Sequence, residues 1–288
     1  MKKRFFALLC ILCLFSLRCA CAEVFWHEKP AESWYQRPLL RLTAFSAAQS
    51  DCLLLECGGE RMMVDGGTAA YAEELKAALR EKGISSFQYL LNTHYHEDHI
   101  SGLYALLQDG FAVGAYLHPY AENSIYANVY QRQTIREAEK QGIPVRQVFH
   151  GDTLLLGEAV VTLYRYDEGL STNGRSMIVH VQVGDASLLL PADIIGDTQS
   201  WCVRTMPAEM LDVDVLKAPH HGVSVMANEF LEGTSPEAIV MTNNREHAEE
   251  GEKQAAKYGI PTIYTNEGRV VCETDGTDWY IYQEEGAF

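Results

Sequence analysis

Cysteine is scarce where a folded domain would use it. Of eight cysteines in 288 residues, Cys10, Cys13, Cys19 and Cys21 crowd into the first 22, leaving only Cys52, Cys57, Cys202 and Cys272 beyond them. Four scattered thiols match neither a dense disulfide framework nor a metal knuckle. Cys52 and Cys57 read as core residues of one strand. Long apolar runs are also missing: Phe5–Leu17 stops at Arg18 and is too short to span a bilayer comfortably. Positive charge is in deficit, with 23 Lys and Arg against 39 Asp and Glu and a formal charge of −16. Such a chain is a poor general binder of polyanions, which argues against long nucleic acid as its partner. No internal repeat or low-complexity tract stands out, so nothing points to a solenoid or an extended tail.

What is present is a composition that can bury a core, 47% hydrophobic and 22% charged. The length suits one large domain or two small ones. Met1-Lys2-Lys3-Arg4, the apolar stretch Phe5–Leu17 and the small residues Ala20-Cys21-Ala22 have the layout of a signal peptide cleaved after about Ala22. A secreted protein with no stable membrane anchor follows, with a membrane-tethered form as the rival. Cleavage would remove four basic residues and no acid, taking the formal charge to about −20. Residues 23–38, with Trp26, Trp34 and Tyr35, read as an arm packed on the surface of a domain spanning 39–288.

That domain is organised around Thr93-His94-Tyr95-His96-Glu97-Asp98-His99, which follows the apolar strand Tyr89-Leu90-Leu91. His94 and His96 stand two apart in extended chain and so leave it on one side. Asp98 and His99 come where the chain turns into a helix, expected over Ile100–Gln108. Imidazole and carboxylate are the donors a borderline divalent ion prefers. Four donors from six residues would strain a single tetrahedron, so the pattern points to two adjacent ions.

Elsewhere, short strands are expected at Leu39–Phe45, Cys52–Glu56, Arg61–Val64, Ala112–Leu117, Val145–Phe149, Thr153–Leu156, Ala159–Tyr164, Ser176–Val183, Ser187–Leu190, Val213–Lys217, Ala238–Thr242, Thr262–Thr265, Arg269–Glu273 and Asp278–Tyr282. Helices are expected at Ala69–Glu81, Ala121–Gln141, Ile195–Met206 and Ala248–Tyr258. Strands separated by helices, then strands again, suit a layered sandwich. His180 sits mid-strand between Val179 and Val181 and is expected on the sheet's solvent side, not as a ligand. His27, His118 and His150 fit no motif and read as structural or surface residues.

The Thr-His-Tyr-His-Glu-Asp-His segment resembles the metal-binding signature of the metallo-β-lactamase superfamily. Lys217-Ala-Pro219-His220-His221-Gly222 resembles the Lys-x-Pro-His-His-Gly-Ser signature of its ComEC-like branch, named for a competence protein with an extracellular hydrolase domain. The turn Ala47-Ala48-Gln49-Ser50-Asp51 resembles that branch's Val-Gly-Gln-Gly-Asp-Ala turn, which lies near the metals. The resemblance implies an α/β fold, a four-layer αββα sandwich with the metals at the sheet edge. It implies His94, His96, Asp98 and His99 as ligands, Asp193 as the bridging carboxylate and His220 as a ligand of the second metal. His221 would be a further ligand or a donor to the substrate's oxyanion. Asp65 would orient a metal-binding histidine, cap the following helix, or do both. Asn173, ahead of Ser176, occupies the region where many branches carry a third metal-binding histidine. His247 matches a histidine of the branch and would point into the site or sit in a helix's first turn.

The activity so implied is hydrolysis with two divalent metal ions, zinc or manganese. A shared water would serve as hydroxide, Asp98 would help orient it, and His221 and His247 would assist. The branch suggests a phosphodiesterase acting on a small-molecule or cell-wall phosphodiester. A lactonase or β-lactamase-type hydrolase of carbon esters and amides is the rival enzyme, and a metal-binding but catalytically silent surface protein is the rival from another class.

Overall fold

Strands apolar on both faces are the main sequence signal of this fold, and the structure explains them. The computed structural model describes residues 23–31, 39–121, 124–125 and 127–284, so the expected signal segment, 1–22, lies outside the described residues. Among the described residues, nine strands form one sheet: β1 (Val24–Trp26), β2 (Leu40–Ala44), β3 (Cys52–Cys57), β4 (Glu60–Gly66), β5 (Ser86–Leu91), β6 (Ala112–His118), β7 (Val145–Gln147), β15 (Arg269–Thr274) and β16 (Trp279–Glu284). Their order is β1-β16-β15-β2-β3-β4-β5-β6-β7. Seven more form the second sheet: β8 (Thr153–Leu156), β9 (Ala159–Tyr164), β10 (Ile178–Val183), β11 (Ala186–Leu190), β12 (Val215–Lys217), β13 (Ala238–Met241) and β14 (Thr262–Tyr264). These run β14-β13-β12-β11-β10-β9-β8.

The helices cover the outer faces. Leu75, Leu79, Leu103, Leu106 and Ile135 of α1 (Ala72–Glu81), α2 (Glu97–Gln108) and α3 (Val129–Lys140) cluster with Leu54 and Met63 of the first sheet. Cys202, Leu211, Phe230 and Ala255 of α4 (Gly196–Thr205), α5 (Ala208–Leu211), α6 (Asn228–Thr234) and α7 (Glu249–Lys257) cluster with Ile178 and Leu189 of the second. Leu42, Leu53, Leu55, Val179, Val181 and Val215 fill the space between the sheets. The αββα sandwich is therefore present. Each buried leucine contributes about 1.5–3 kcal/mol. On β3, Leu53 and Leu55 face the other sheet while Cys52 and Leu54 face the helices, so both faces are covered. Cys52 and Cys57 are free thiols buried on this one strand.

Two expectations are corrected. His180 does not face solvent: it is wholly buried on the face of β10 that carries Ile178, because in a four-layer sandwich the outer sheet face is roofed by helices. The helix expected over Ala121–Gln141 begins only at Val129, where the Asn128 side chain accepts the Gln131 N–H at 3.1 Å and caps it. On either side of that start, Asn128 Nδ2 donates to Tyr95 O, and the Tyr120 hydroxyl donates to Arg175 O at 2.6 Å. Part of the expected arm, Val24–Trp26, is an edge strand running parallel to β16; Trp34 and Tyr35 lie outside the described residues. Among the described residues no helix is long and apolar enough to cross a membrane.

Candidate metal centre

Parallel pairing sets where the site lies. β4, β5 and β6 run parallel in one sheet, and β11, β12 and β13 in the other. Parallel strands end together, so the loops that follow them gather at one sheet edge. Asp65 ends β4, His94–His99 follow β5, Asp193 follows β11, and His220-His221 follow β12. The β2–β3 turn adds Asp51 to the same place.

Glycine makes the approach of α2 possible. The Gly102 N–H donates to Gly67 O at 3.0 Å, and a Cβ on Gly102 would sit 1.8 Å from Gly66 O. With no side chain between them, the second turn of α2 presses on the end of β4, and His99, in the turn before, meets Asp65. Asp65 is wholly buried with φ +55, a region where Asp is more tolerated than most residues. Its Oδ1 accepts from Asn92 Nδ2 at 3.0 Å and Thr93 N at 2.8 Å. Its Oδ2 accepts from Thr93 Oγ1 at 2.5 Å and pairs with His99 Nδ1 at 2.7 Å. The cap of the turn ahead of α1 is Thr68, not Asp65. The helix-capping alternative for Asp65 thus falls away, and its carboxylate is committed to the histidine loop.

The imidazoles then meet Asp193 in two groups. His94 Nε2 lies 3.1 Å from His96 Nδ1 and 3.8 Å from Asp193 Oδ2. His99 Nε2 lies 3.3 Å from Asp193 Oδ2, and His221 Nε2 lies 3.3 Å from Asp193 Oδ1 and 3.4 Å from Asp98 Oδ2. His220 and His221 both have positive φ, +49 and +55, in the turn that carries them. That strain, of order 1–3 kcal/mol for each residue, is typical of functional turns. The two rings diverge. His221 is wholly buried, whereas His220 is 27% exposed at the rim. His220 Nδ1 is 2.8 Å from Ser224 Oγ, and its Nε2 is 3.4 Å from Asn173 Nδ2 and 3.8 Å from Asp193 Oδ2.

A cation suits this donor set. His99 Nε2, His221 Nε2 and Asp193 Oδ1 are buried with no hydrogen-bond partner among the described residues, and they point at one another. Burial opposes charge on His221, but the carboxylates of Asp193 and Asp51 outweigh it and raise the imidazole to about 10. Burial likewise opposes charge on His99, yet Asp193 and Asp65 lift it well above the usual histidine range. Burial would raise Asp98, but His221 and His99 hold it at about 2. His94 goes the other way, pushed down by burial and by His99. Without a cation, protons serve as the counter-charge for these carboxylates, and a bound metal would displace them.

Of the residues singled out from sequence, His94, His96, Asp98, His99, Asp193, His220, His221, Asp65 and Asn173 are brought to this edge. His247 is not gathered with them by any described contact: it is exposed and lies 3.3 Å from Asn244. Asp51 and Lys217 were missed as site residues. Asp51 Oδ1 accepts from Thr242 Oγ1 at 2.7 Å and lies 3.1 Å from His221 Nδ1, while Oδ2 is 2.6 Å from Lys217 Nζ. The signal that could have found them was already in the two motifs, where Asp51 closes the β2–β3 turn and Lys217 opens the Lys-x-Pro-His-His-Gly run.

A sandwich whose strand-end loops converge histidines and carboxylates on one carboxylate carries a candidate site for divalent ions. The family model of the metallo-β-lactamase superfamily matches residues 46–242. Among solved structures, the metallo-β-lactamase fold protein YhfI from Bacillus subtilis is 12% identical, covering 82% of this chain and 100% of its own, with a TM-score of 0.56. CmlA, a diiron β-hydroxylase from Streptomyces venezuelae, is 14% identical with a TM-score of 0.53, over 85% of this chain and 55% of that one. A search of curated proteins finds no match. The chain belongs to the metallo-β-lactamase superfamily, most of whose members are metal-dependent hydrolases and whose fold usually holds two metal ions.

Proposed function

We propose that this chain is an exported binuclear metallo-phosphodiesterase of the ComEC-like branch, acting on small or cell-wall phosphodiesters. The observation that carries this reading is the meeting of two donor groups on Asp193, one completed by the Pro-His-His-Gly turn. His94, His96 and Asp193 would hold one ion; Asp98, His99, His221 and Asp193 would hold the other. Zinc suits the nitrogen-rich set, and manganese is the alternative. When bound, such a pair of ions lowers the pKa of a shared water and polarises the scissile ester.

The chain's own groups supply the rest. Asp65 fixes His99, and Asp51 fixes His221, each through Nδ1, leaving Nε2 free to face inward. Of the two alternatives the sequence left open for His221, this reading takes the ligand role, and it moves His220 from ligand to the rim. His221 is the inner ligand, whereas His220 sits at the rim with Nδ1 on the Ser224 hydroxyl. Its Nε2 faces the Asn173 Nδ2–H at 3.4 Å and accepts from it, and the two side chains would flank a phosphoryl oxygen at the rim. His247 has no part in this reading. The acidic chain favours a short substrate over a polymer such as DNA. The test is hydrolysis of bis-(p-nitrophenyl) phosphate against nitrocefin and a lactone by the metal-loaded protein. Phosphodiester turnover that falls in His220→Ala supports the reading; turnover of nitrocefin or the lactone alone replaces it, and bound metal with no turnover leaves a metal-binding surface protein.

A further inference from the structure

Lys217 is a wholly buried cation at the heart of the site, and no role described so far accounts for it. It is the last residue of β12, a central strand, directly before the turn that carries His220 and His221. Its ammonium touches two other loops. Nζ lies 2.6 Å from Asp51 Oδ2 in the β2–β3 turn and donates to Ala192 O at 3.1 Å after β11. It lies 3.8 Å from Asp193 Oδ1. Both partners pass the contact on. Asp51 uses its other oxygen for Thr242 and His221, and Ala192 O also accepts the His220 N–H at 2.9 Å. Ala192 holds φ +50, a conformation costly for a β-carbon, and Asp193 follows it directly. A buried ammonium costs several kcal/mol unless paired, and here Asp51, Ala192 O and Asp193 offset that cost.

We propose that Lys217 is the positioning residue of the second cation subsite: it fixes His221 through Asp51 and Asp193 through Ala192, so that both aim at one ion. The contrast with His99 supports this. His99 takes its short contact from Asp65, at 2.7 Å, whose carboxylate is itself tied to the histidine loop, whereas Asp51 has its Oδ2 against Lys217 Nζ at 2.6 Å and its Oδ1 against His221 at 3.1 Å. The ion pair also makes the orienting carboxylate neutral overall, so it guides His221 without adding net negative charge.

The inference rests on the metal-site reading above, and the experiment separates the two. Zinc titrations by calorimetry and the visible spectrum of the cobalt-loaded protein are recorded for wild type, Lys217→Met and the double variant Asp51→Asn/Lys217→Met, with melting of each metal-free protein as the control for folding. The double variant buries no unpaired charge and is the one read if Lys217→Met alone does not fold. The expected result is a first ion bound within about twofold of wild type, with the second weakened more than tenfold and its cobalt bands altered. Two ions bound as in wild type by either folded variant overturns the proposal, as does a failure of both variants to fold, which would make Lys217 a structural residue only. Wild type that takes up no cation overturns the metal-site reading instead.

Discussion

Asp65→Asn isolates one atom of the site. Asparagine tolerates the φ of +55 at this position and matches aspartate in volume. Its oxygen can keep the bonds from Asn92 Nδ2 and the Thr93 N–H, but an amide group then faces Thr93 Oγ1 and His99 Nδ1. The threonine hydroxyl can rotate and accept. The imidazole cannot place an N–H against that amide, so its proton moves to Nε2, the nitrogen that faces Asp193 and any ion there. Loss of such an orienting partner costs 10–100-fold in metal affinity, about 1.4–2.7 kcal/mol. Asp65→Ala should do more, because four buried donors lose their acceptor at roughly 1–3 kcal/mol each before relaxation. The assay is a zinc titration against a competing chelator, with urea unfolding of the metal-free protein alongside. Asp65→Asn that folds normally and binds zinc within twofold of wild type would refute the reasoning, since His99 would then not depend on its Nδ1 partner.

Other outcomes follow from the same contacts. His180 is buried, neither ring nitrogen has a partner among the described residues, and burial lowers its pKa to about 4. Its folded value lies below the unfolded one near 6.5, so stability is unaffected above pH 6.5 and falls between pH 6.5 and 4 as only the unfolded chain takes up the proton. The loss should approach about 3 kcal/mol at pH 4; His180→Leu should lose less stability than wild type over that window, and parallel stability curves for the two would contradict this. Gly102→Ala puts a Cβ 1.8 Å from Gly66 O, a backbone atom that cannot yield cheaply, and should destabilise by about 3 kcal/mol or more in denaturant unfolding. A change below about 0.5 kcal/mol would mean that α2 and β4 are not in the contact described.

What could be read from sequence was local. The histidine loop spans seven residues and needs only extended chain followed by a helix start to gather its side chains, so periodicity and spacing revealed it. Asp193 and Asp65 each close an apolar strand, a position equally open to a turn or capping role, and only the resemblance to the superfamily pointed to them as site residues. Asp51 and Lys217 were not, because each acts through a partner far along the chain: 166 positions separate them, and only the two sheets together bring them within 2.6 Å. His180 was misjudged for a similar reason, since a strand pattern tells which residues share a face but not whether a helix covers it. The late start of α3 turned on one capping residue, Asn128, that a run of helix-compatible residues concealed. His220 and His221 are adjacent in sequence yet diverge in space because both take left-handed backbone, which spacing alone cannot show.

The account stands on two cations meeting at Asp193. Its most direct test is the metal content of the purified protein by elemental analysis, repeated for Asp193→Ala. The account predicts two divalent ions per chain in wild type and at most one, weakly held, in the variant. A wild type that binds none after incubation with zinc or manganese, or an Asp193→Ala protein that retains both, contradicts it.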